Sequence, residues 1–357
     1  MEKSNSKIRI KDIAELAGVS EGTVDRVIHK RGDVSAKSME AVKKVLEEIN
    51  YTPNLIARSL ASKKQFHFIC LFPEHKSGDY WQSVSNGFDL AAEEFVHYNV
   101  RVEKRYFNQF DIHSFISVYG EVLEIKPDAV FLPPIFRDET LKFTSELTQL
   151  QIPFSFIDSL IEETNFVTYY GQHSFQSGYI AAKLLLNSIS ENEKVLIIRT
   201  KRNGAVSNQT IYRHNGFMQY VKDEKLINKL ELINIEFNDD NENSNLDVLR
   251  DVFTNHTNIK AAITFNSKVY RLAKYIEVLK CKDVRIIGYD LLEQNVSYLK
   301  QGVISYLIAQ RPDKQAYYTV RDMCKELIFK QEVSKINYVP IDILMKENID
   351  YFLKFTE

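Results

Sequence analysis

The sequence predicts two kinds of structure in one chain: a small all-α N-terminal region and a larger α/β region with parallel sheets. Apolar residues recur at helical spacing through residues 10–49, whereas β-strand and α-helix patterns alternate after Lys64. The repetition of this alternation favours two similar lobes in the α/β region. With 357 residues, the chain also exceeds the usual size of a single hydrophobic core, which indicates at least two folding units.

Composition excludes several classes of protein. Hydrophobic residues make up 44% and charged residues 26% of the chain, as in ordinary globular proteins. Cys70, Cys281 and Cys324 are widely spaced, which predicts reduced thiols and neither a disulfide framework nor a metal site. The charged N-terminal segment has no signal-peptide pattern, and no apolar run is long enough to span a membrane. We therefore expect a cytoplasmic protein that makes no membrane contact.

Residues 10–49 carry three helix patterns, the first two separated by a glycine. Gly18 interrupts the first pattern, as expected for a tight turn between crossing helices. Ser20 and Ser35 are candidate N-caps of the second and third helices. This layout is typical of a helix-turn-helix, whose second helix enters the major groove of DNA and presents its first residues to base edges. The alternative is a helical bundle without a DNA-binding function.

Residues 10–27, 34–35 and 50–54 resemble the headpiece of the lactose-repressor/galactose-repressor family. The resemblance implies a sequence-specific transcriptional regulator, with repression as the favoured mode, whose headpiece covers residues 1–53. Arg9 and Asp25 depart from the residues common in that family, which leaves the operator sequence open. The resemblance also implies that double-stranded operator DNA is contacted by the start of the second helix, at Ser20, Glu21, Gly22, Thr23 and Arg26.

Residues 54–64 are expected to form a hinge helix. Pro53 would stop the third helix, and Asn54 can cap a new one. By the same resemblance, Leu60 would insert between base pairs in the minor groove, and Ala57 would let the hinge helices of a homodimer approach closely. Insertion in pairs implies a near-palindromic operator. The alternative is a plain linker helix.

Residues 65–357 carry the α/β pattern and resemble the type I periplasmic-binding-protein fold. The resemblance implies an effector-binding domain whose two lobes are joined by three crossovers. The first lobe is expected at residues 65–160 and 309–335, and the second at residues 161–308 and 336–357. The crossovers are expected near residues 158–164, 290–294 and 309–313.

Polar residues that follow the strands are the candidates for effector binding, because ligands of open α/β sheets bind at the carboxyl ends of the strands. The resemblance implies a small-molecule effector, with a sugar or sugar derivative favoured. The planar guanidinium of Arg213 can bond two neighbouring sugar oxygens at once. The candidate effector-binding residues are Asp79, Trp81, Asp158, Gln172, Arg213, Asn266, Asp290 and Gln310.

The expected cleft departs from the family in its charge. Gln172 and Ser267 stand where relatives often have aspartate, and three cations follow a strand at Arg199, Lys201 and Arg202. These departures raise an anionic effector, such as a sugar phosphate or uronic acid, as an alternative to a neutral sugar. The cations are otherwise expected in a solvated loop.

An enzyme is not expected, because the sequence has no dinucleotide-binding, phosphate-loop, serine-hydrolase or zinc-protease motif. We accordingly expect no cofactor and no catalytic residue. A secreted sugar-binding protein is the alternative for residues 65–357 alone, although the headpiece argues against it. A regulator that responds to a protein partner is a further alternative.

Overall fold

The computed structural model describes residues 9–28, 32, 34–49, 64–187, 189–190, 192–202, 205–227, 229–238, 241–281 and 283–356. The chain divides into two compact units, the first ending at residue 62 and the second beginning at residue 63. The predicted hinge helix, with Asn54, Ala57 and Leu60, lies outside the described residues.

The first unit contains the three predicted helices, which are α1 (Ile10–Ala17), α2 (Glu21–Ile28) and α3 (Ala36–Glu48). Gly18 ends α1 in the left-handed conformation, with φ 65°, which an L side chain rarely adopts. The Ser20 hydroxyl accepts a hydrogen bond from the Thr23 backbone N–H, and Ser35 caps α3 in the same way. A small core joins the helices and contains Ile13, Ala14, Val24, Val42 and Val45.

The second unit begins with alternating strands and helices that build the first lobe. These elements are β1 (Phe66–Pro73), α4 (Tyr80–Phe95), β2 (Val100–Phe107), α5 (Ile112–Ile125), β3 (Ala129–Leu132), α6 (Arg137–Gln149), β4 (Phe154–Asp158) and β5 (Tyr169–Gly171). The strands are rich in aromatic and aliphatic residues and mostly buried, as expected for parallel strands covered on both faces.

The second lobe repeats this pattern. Its elements are α7 (Ser174–Leu186), β6 (Lys194–Arg202), β7 (Ala205–Val206), α8 (Asn208–Asp223), β8 (Glu231–Asn238), α9 (Glu242–Asn255), β9 (Ile259–Thr264), α10 (Val269–Val278), β10 (Arg285–Tyr289), α11 (Glu293–Lys300) and β11 (Tyr306–Ala309). The chain then ends with α12 (Pro312–Cys324), β12 (Ile336–Tyr338), β13 (Asp342–Leu344) and α13 (Ile349–Thr356).

The described strands form two sheets, one in each lobe. The first sheet has the order β12-β5-β4-β3-β1-β2, and its paired strands are parallel. The second has the order β13-β11-β10-β9-β6-β7, with β8 also pairing with β6. In the second sheet β13 and β7 run antiparallel to their neighbours. Apolar clusters cover both faces of each sheet. These findings confirm the predicted fold class of helical headpiece and two-lobed α/β domain.

The sheets correct the predicted lobe boundaries. Because β5 and β12 belong to the first sheet, the chain crosses between lobes near residues 172–173, 310–311 and 339–341. The crossovers predicted at 158–164 and 290–294 are therefore wrong, as are the lobe boundaries predicted at 161 and 336. The crossover predicted near 309–313 agrees with the structure. The prediction failed because β5 is only three residues long, and because α11 packs within the second lobe.

None of the described helices is both long enough and apolar enough to cross a membrane.

Candidate functional site

A cleft of about 630 Å³ lies between the two lobes of the second unit. Its first-lobe wall consists of residues that follow β1, β2, β3 and β4. Its second-lobe wall consists of the start of α8 and of residues that follow β9, β10 and β11. The cleft therefore lies at the carboxyl ends of the strands, as open α/β sheets place their ligand sites.

Arg213 is the most deeply buried cation of the cleft, with 1% of its surface exposed. Its Nη1 donates a hydrogen bond of 2.8 Å to the Phe265 carbonyl oxygen, and the guanidinium lies 3.9 Å from the centre of the Tyr289 ring. Its Nε and Nη2 have no hydrogen-bond partner among the described residues. Such buried donors are costly unless a ligand or water bonds them.

Close helix packing places Arg213 in the cleft. Glycines at positions 178 and 216 bring α7 and α8 together. A Cβ at Gly178 would lie 1.9 Å from the Arg213 carbonyl oxygen, and one at Gly216 would lie 1.9 Å from the Phe175 carbonyl oxygen. Only glycine allows this approach of the two backbones. The backbone that carries Arg213 is therefore held against the neighbouring helix.

Asp290 follows β10 and is 4% exposed. The side-chain amide of Gln310 donates to both carboxylate oxygens of Asp290, at 2.8 and 2.9 Å. Burial raises the pKa of Asp290 to about 7, although the nearby Arg213 guanidinium and the Gln310 hydrogen bond act to lower it. This acid can therefore accept or donate a hydrogen bond near neutral pH.

Asp158 is the last residue of β4 and lies on the opposite wall of the cleft. The Tyr80 hydroxyl donates a 2.6 Å hydrogen bond to its Oδ1, and Gln209 donates from the second lobe to its backbone carbonyl at 3.0 Å. Burial raises the pKa of the Tyr80 phenol well above its usual value, so the hydroxyl stays protonated as a donor. Asp158 and Asp290 thus face the cleft from different lobes.

The remaining predicted residues play mixed parts. Asp79 is exposed at the cleft, and its carboxylate accepts from the Lys76 backbone N–H. Trp81 lines the cleft while packing in the core of the first lobe, and its Nε1 donates to Gln109 at 3.3 Å. The amide of Asn266 donates to Thr200 and accepts from the Lys268 backbone, so it orients the loop that follows β9.

Gln172 is the predicted effector-binding residue that does not line the cleft. It lies in the first crossover and is 2% exposed, and its amide donates 2.8 Å to the Ala309 carbonyl oxygen. Gln172 therefore connects two crossovers. Its assignment to effector binding followed from the family resemblance.

Comparisons with known proteins place both units in known families. Residues 9–54 match the family described as bacterial regulatory proteins, lacI family, and residues 69–331 match the periplasmic binding protein domain family. A putative LacI transcriptional regulator from Bacteroides fragilis is 37% identical, with a TM-score of 0.75, over 81% of this chain and 99% of that chain. The chain belongs to the LacI family of bacterial regulatory proteins.

Two curated relatives agree with this assignment. The ribose operon repressor of Lactococcus lactis is 25% identical over 301 residues, which are 80% of this chain and 82% of that protein. The lactose operon repressor of Escherichia coli is 46% identical over 57 residues, which are 16% of each chain. The predictions of a DNA-binding transcriptional regulator, and not an enzyme, are confirmed by membership of this family.

The DNA-binding candidates of this LacI-family chain lie at the start of α2, except Arg26, which lies in its last turn. Ser20 caps the helix through its bond to Thr23, and Glu21, Gly22 and Arg26 are exposed on its surface. Base edges in the major groove are contacted by exposed side chains at such a helix start. The geometry therefore allows contact with DNA.

Sequence reasoning missed several residues that line this LacI-family cleft. Tyr80 directly precedes the predicted Trp81, and Gln209 begins the helix that carries Arg213. Their position after a strand or at a helix start is a signal, but such positions also serve as caps and turns. The loop that follows β9 adds Lys268, Tyr270 and Arg271.

Charges in the described wall of the cleft balance in number. Four acids line it, at Glu74, Asp79, Asp158 and Asp290. Four cations also line it, at Lys76, Arg213, Lys268 and Arg271. Arg199 and Lys201 do not line the cleft, because both pair with Glu236. The side chain of Arg202 lies outside the described residues.

Proposed function

We propose that this LacI-family regulator binds a neutral monosaccharide between its lobes and that binding changes its affinity for operator DNA. The observation that carries the proposal is the combination of Arg213 donors without partners and two acids from opposite lobes. A sugar ring presents neighbouring hydroxyls, each able to donate and accept. The guanidinium can donate to such oxygens, and the acids can accept from them.

A neutral sugar fits the charges of the cleft better than an anionic one. The four cations of the wall are matched by four acids once Asp290 ionises, above its pKa of about 7. A phosphate or carboxylate group would need an excess of positive charge to offset its loss of hydration. The name of the ribose operon repressor, a relative over 80% of this chain, supports a sugar effector.

The DNA-bound species is proposed to be a homodimer on a near-palindromic operator in the cytoplasm. Glu21, Thr23 and Arg26 of α2 would contact DNA, with Ser20 as the cap and Gly22 allowing close approach. Leu60, assisted by Ala57 and capped by Asn54, would insert into the minor groove by the family resemblance. Lobe movement about the three crossovers would then couple sugar and operator binding, and linkage requires this coupling to be reciprocal.

Thermal unfolding with a sugar panel tests the effector. The panel contains D-ribose, D-allose, D-glucose, D-galactose and D-arabinose, with ribose 5-phosphate and glucuronate as anionic counterparts. A sugar at 100 times its dissociation constant stabilises the folded chain by about 2.7 kcal/mol, a rise of a few degrees. We expect a neutral sugar to stabilise and the anionic compounds to have no effect. Stabilisation by an anionic compound alone would contradict neutral recognition, and a flat panel would favour a protein input.

Operator selection followed by binding measurements tests the regulator half of the proposal. We expect affinity to fall steeply with salt and to change when the stabilising sugar is added. Leu60→Ala is expected to weaken operator binding without changing sugar affinity. An operator affinity that no bound sugar alters would contradict the coupling. Equal operator affinity of Leu60→Ala and the wild type would contradict the hinge proposal.

A further inference from the structure

Gln315 lies outside the cleft wall, yet it bonds the backbone of Asp158 and of Gln310, the residue whose side chain bonds Asp290. It is in the first turn of α12 and is 1% exposed. Its Oε1 accepts a 3.0 Å hydrogen bond from the backbone N–H of Asp158. Its Nε2 donates a 2.8 Å hydrogen bond to the backbone carbonyl of Gln310. One buried amide therefore joins the end of β4 to the second crossover.

This contact continues to the other lobe. The side chain of Gln310 donates to both carboxylate oxygens of Asp290. Hydrogen bonds therefore link Asp158 to Gln315, Gln315 to the Gln310 backbone, and the Gln310 side chain to Asp290. This connection passes through residues 310–311, where the chain crosses between lobes.

The backbone of Asp158 needs such support. Its φ is 68°, in the left-handed region that costs energy for a residue with a Cβ. Side chains bond both of its backbone polar groups: Gln315 binds the N–H, and Gln209 and Tyr169 donate to the carbonyl. Without Gln315, the buried N–H would lose its partner. The direction of the Asp158 carboxylate depends on this backbone conformation.

We propose that Gln315 is a positioning residue. It holds the backbones of Asp158 and Gln310 in a fixed arrangement and so couples the two cleft acids across the second crossover. The role requires one acceptor and one donor on the same side chain, which an amide supplies. Methionine has a similar size and supplies neither strong group. An ionised glutamate supplies acceptors only and would face the Gln310 carbonyl, whereas a protonated glutamic acid supplies both.

Hydrogen exchange on the full chain tests this positioning without any ligand. Gln315→Met is compared with Thr319→Val, which removes a buried hydroxyl bonded to the Gln315 carbonyl on the same helix but touches neither Asp158 nor Gln310. Overlapping peptides report the amides of residues 154–159, 285–291 and 306–312. We expect exchange at Asp158 to quicken by about tenfold or more in Gln315→Met, since a lost buried bond has that effect.

The second-lobe peptides test the coupling itself. In Gln315→Met they are expected to exchange faster as well, whereas Thr319→Val should leave all three peptides close to the wild type. Equal exchange in the two variants would overturn the proposal, because Gln315 would then be an ordinary core residue. Faster exchange confined to residues 154–159 would overturn the coupling across the crossover.

Sugar affinity gives the functional readout, which rests on the proposed function. D-ribose, D-allose and D-glucose are titrated into the wild type, Gln315→Glu, Gln315→Met and Thr319→Val at pH 8 and pH 5.5. We expect Gln315→Glu to bind about 10- to 100-fold more weakly than the wild type at pH 8. At pH 5.5 the sugar affinity of Gln315→Glu should lie within about threefold of that of the wild type, because burial keeps the new carboxyl protonated. Gln315→Met should stay weak at both pH values, and Thr319→Val should match the wild type.

The two experiments fail separately. If the wild type binds none of the three sugars, the sugar proposal loses its support, and the exchange data alone decide the role of Gln315. If the wild type binds a sugar but the affinity of Gln315→Glu does not approach that of the wild type at pH 5.5, the proposed need for a hydrogen-bond donor to Gln310 is wrong.

Discussion

Asp158 and Asp290 hold matching positions in the two lobes, yet their surroundings differ. Asp158 ends a buried strand and Asp290 directly follows one, and each has a left-handed backbone, with φ of 68° and 70°. Asp158 accepts from the Tyr80 hydroxyl, whereas both carboxylate oxygens of Asp290 are bonded by the Gln310 amide. Burial raises the pKa of Asp290 to about 7. The protonation of Asp290 near neutral pH therefore depends on its burial and its neighbours.

Backbone support also differs between the two acids. The carbonyl oxygen of Asp290 accepts from Asn295, and its N–H donates to Ile308, so both partners belong to its own lobe. Asp158 is bonded instead by Gln209 of the second lobe and by Gln315, next to the second crossover. The backbone of Asp158 should therefore be more sensitive to lobe movement than the backbone of Asp290, which among the described residues is linked to the first lobe through Gln310 and Gln315. Asp158 is thus the better reporter of lobe arrangement.

Asp290→Asn should give the largest effect. The folded chain holds a proton on Asp290 up to about pH 7, while in the unfolded chain this carboxyl ionises near its ordinary pKa. The free energy of unfolding of the wild type therefore falls as pH rises between these two values, by about 4 kcal/mol at most. Asparagine is neutral throughout, so Asp290→Asn should be more stable than the wild type at pH 8 by up to that amount. Thermal unfolding from pH 4 to 8.5 measures the difference.

Asp79→Asn is the matched control for this titration, because Asp79 lines the same cleft but is exposed. Its stability difference from the wild type is measured over the same pH range for comparison. Parallel pH profiles for Asp290→Asn and the wild type would show that Asp290 ionises normally. The contrast between the two acids would then be lost.

Much of the fold and part of the site could be predicted from sequence because their signals are local. Helical spacing around Gly18 predicted the headpiece, and buried strands followed by polar residues predicted Asp158 and Asp290. Arg213 was predicted by the family resemblance, and it lines the cleft. In each case, a short segment carries both the structural pattern and the chemical group.

The remaining features depend on contacts between distant segments. Tyr80 meets a residue 78 positions later, and Gln315 meets one 157 positions earlier. No spacing pattern in a single sequence reports such pairs. Gln172 was assigned to the cleft by the family resemblance, and the short strand β5, which was not predicted, places it in the first crossover instead. Sheet pairing, rather than local propensity, decides on which side of a crossover a residue lies.

Arg213→Ala is expected to have the next largest effect. It removes the donors proposed to bind the sugar and leaves the Phe265 carbonyl without its 2.8 Å bond. We expect a loss of sugar affinity of about 3 kcal/mol, or roughly 100-fold, by titration calorimetry. The pKa of Asp290 should rise further, because the cation that lowers it is gone. Arg137→Ala, which breaks a surface pair with Glu163, is the control and should keep wild-type affinity.

Sugar affinity and the titration of Asp290 test two separate roles of Arg213, contact with the sugar and contact with the acid. Loss of affinity without a change in the titration of Asp290 would place Arg213 on the sugar but not beside the acid. An altered titration with unchanged affinity would contradict the proposed role of Arg213 in sugar binding.

Tyr80→Phe should give the smallest of these effects and the sharpest contrast between the acids. The change removes the hydroxyl that donates 2.6 Å to Asp158 but keeps the ring, whose centre lies 5.0 Å from that of the Trp81 ring. We expect sugar affinity to fall by about 1.5 to 2 kcal/mol, as for the loss of one hydrogen bond in a buried site. Tyr106→Phe, on a half-exposed ring against Phe72, is the matched control and should bind normally.

The pH dependence of that loss decides whether the acids act separately. Asp158 acts to raise the pKa of Asp290, and Gln315 and Gln310 connect the two acids, so the affinity ratio of Tyr80→Phe to the wild type should change as Asp290 titrates around pH 7. A constant ratio would mean that the two acids act separately, whereas a change would mean that protonation of Asp290 affects the bond between Tyr80 and Asp158. The two lobes would then present a single coupled pair of acids to the sugar, and the difference in their surroundings would no longer imply a difference in their roles.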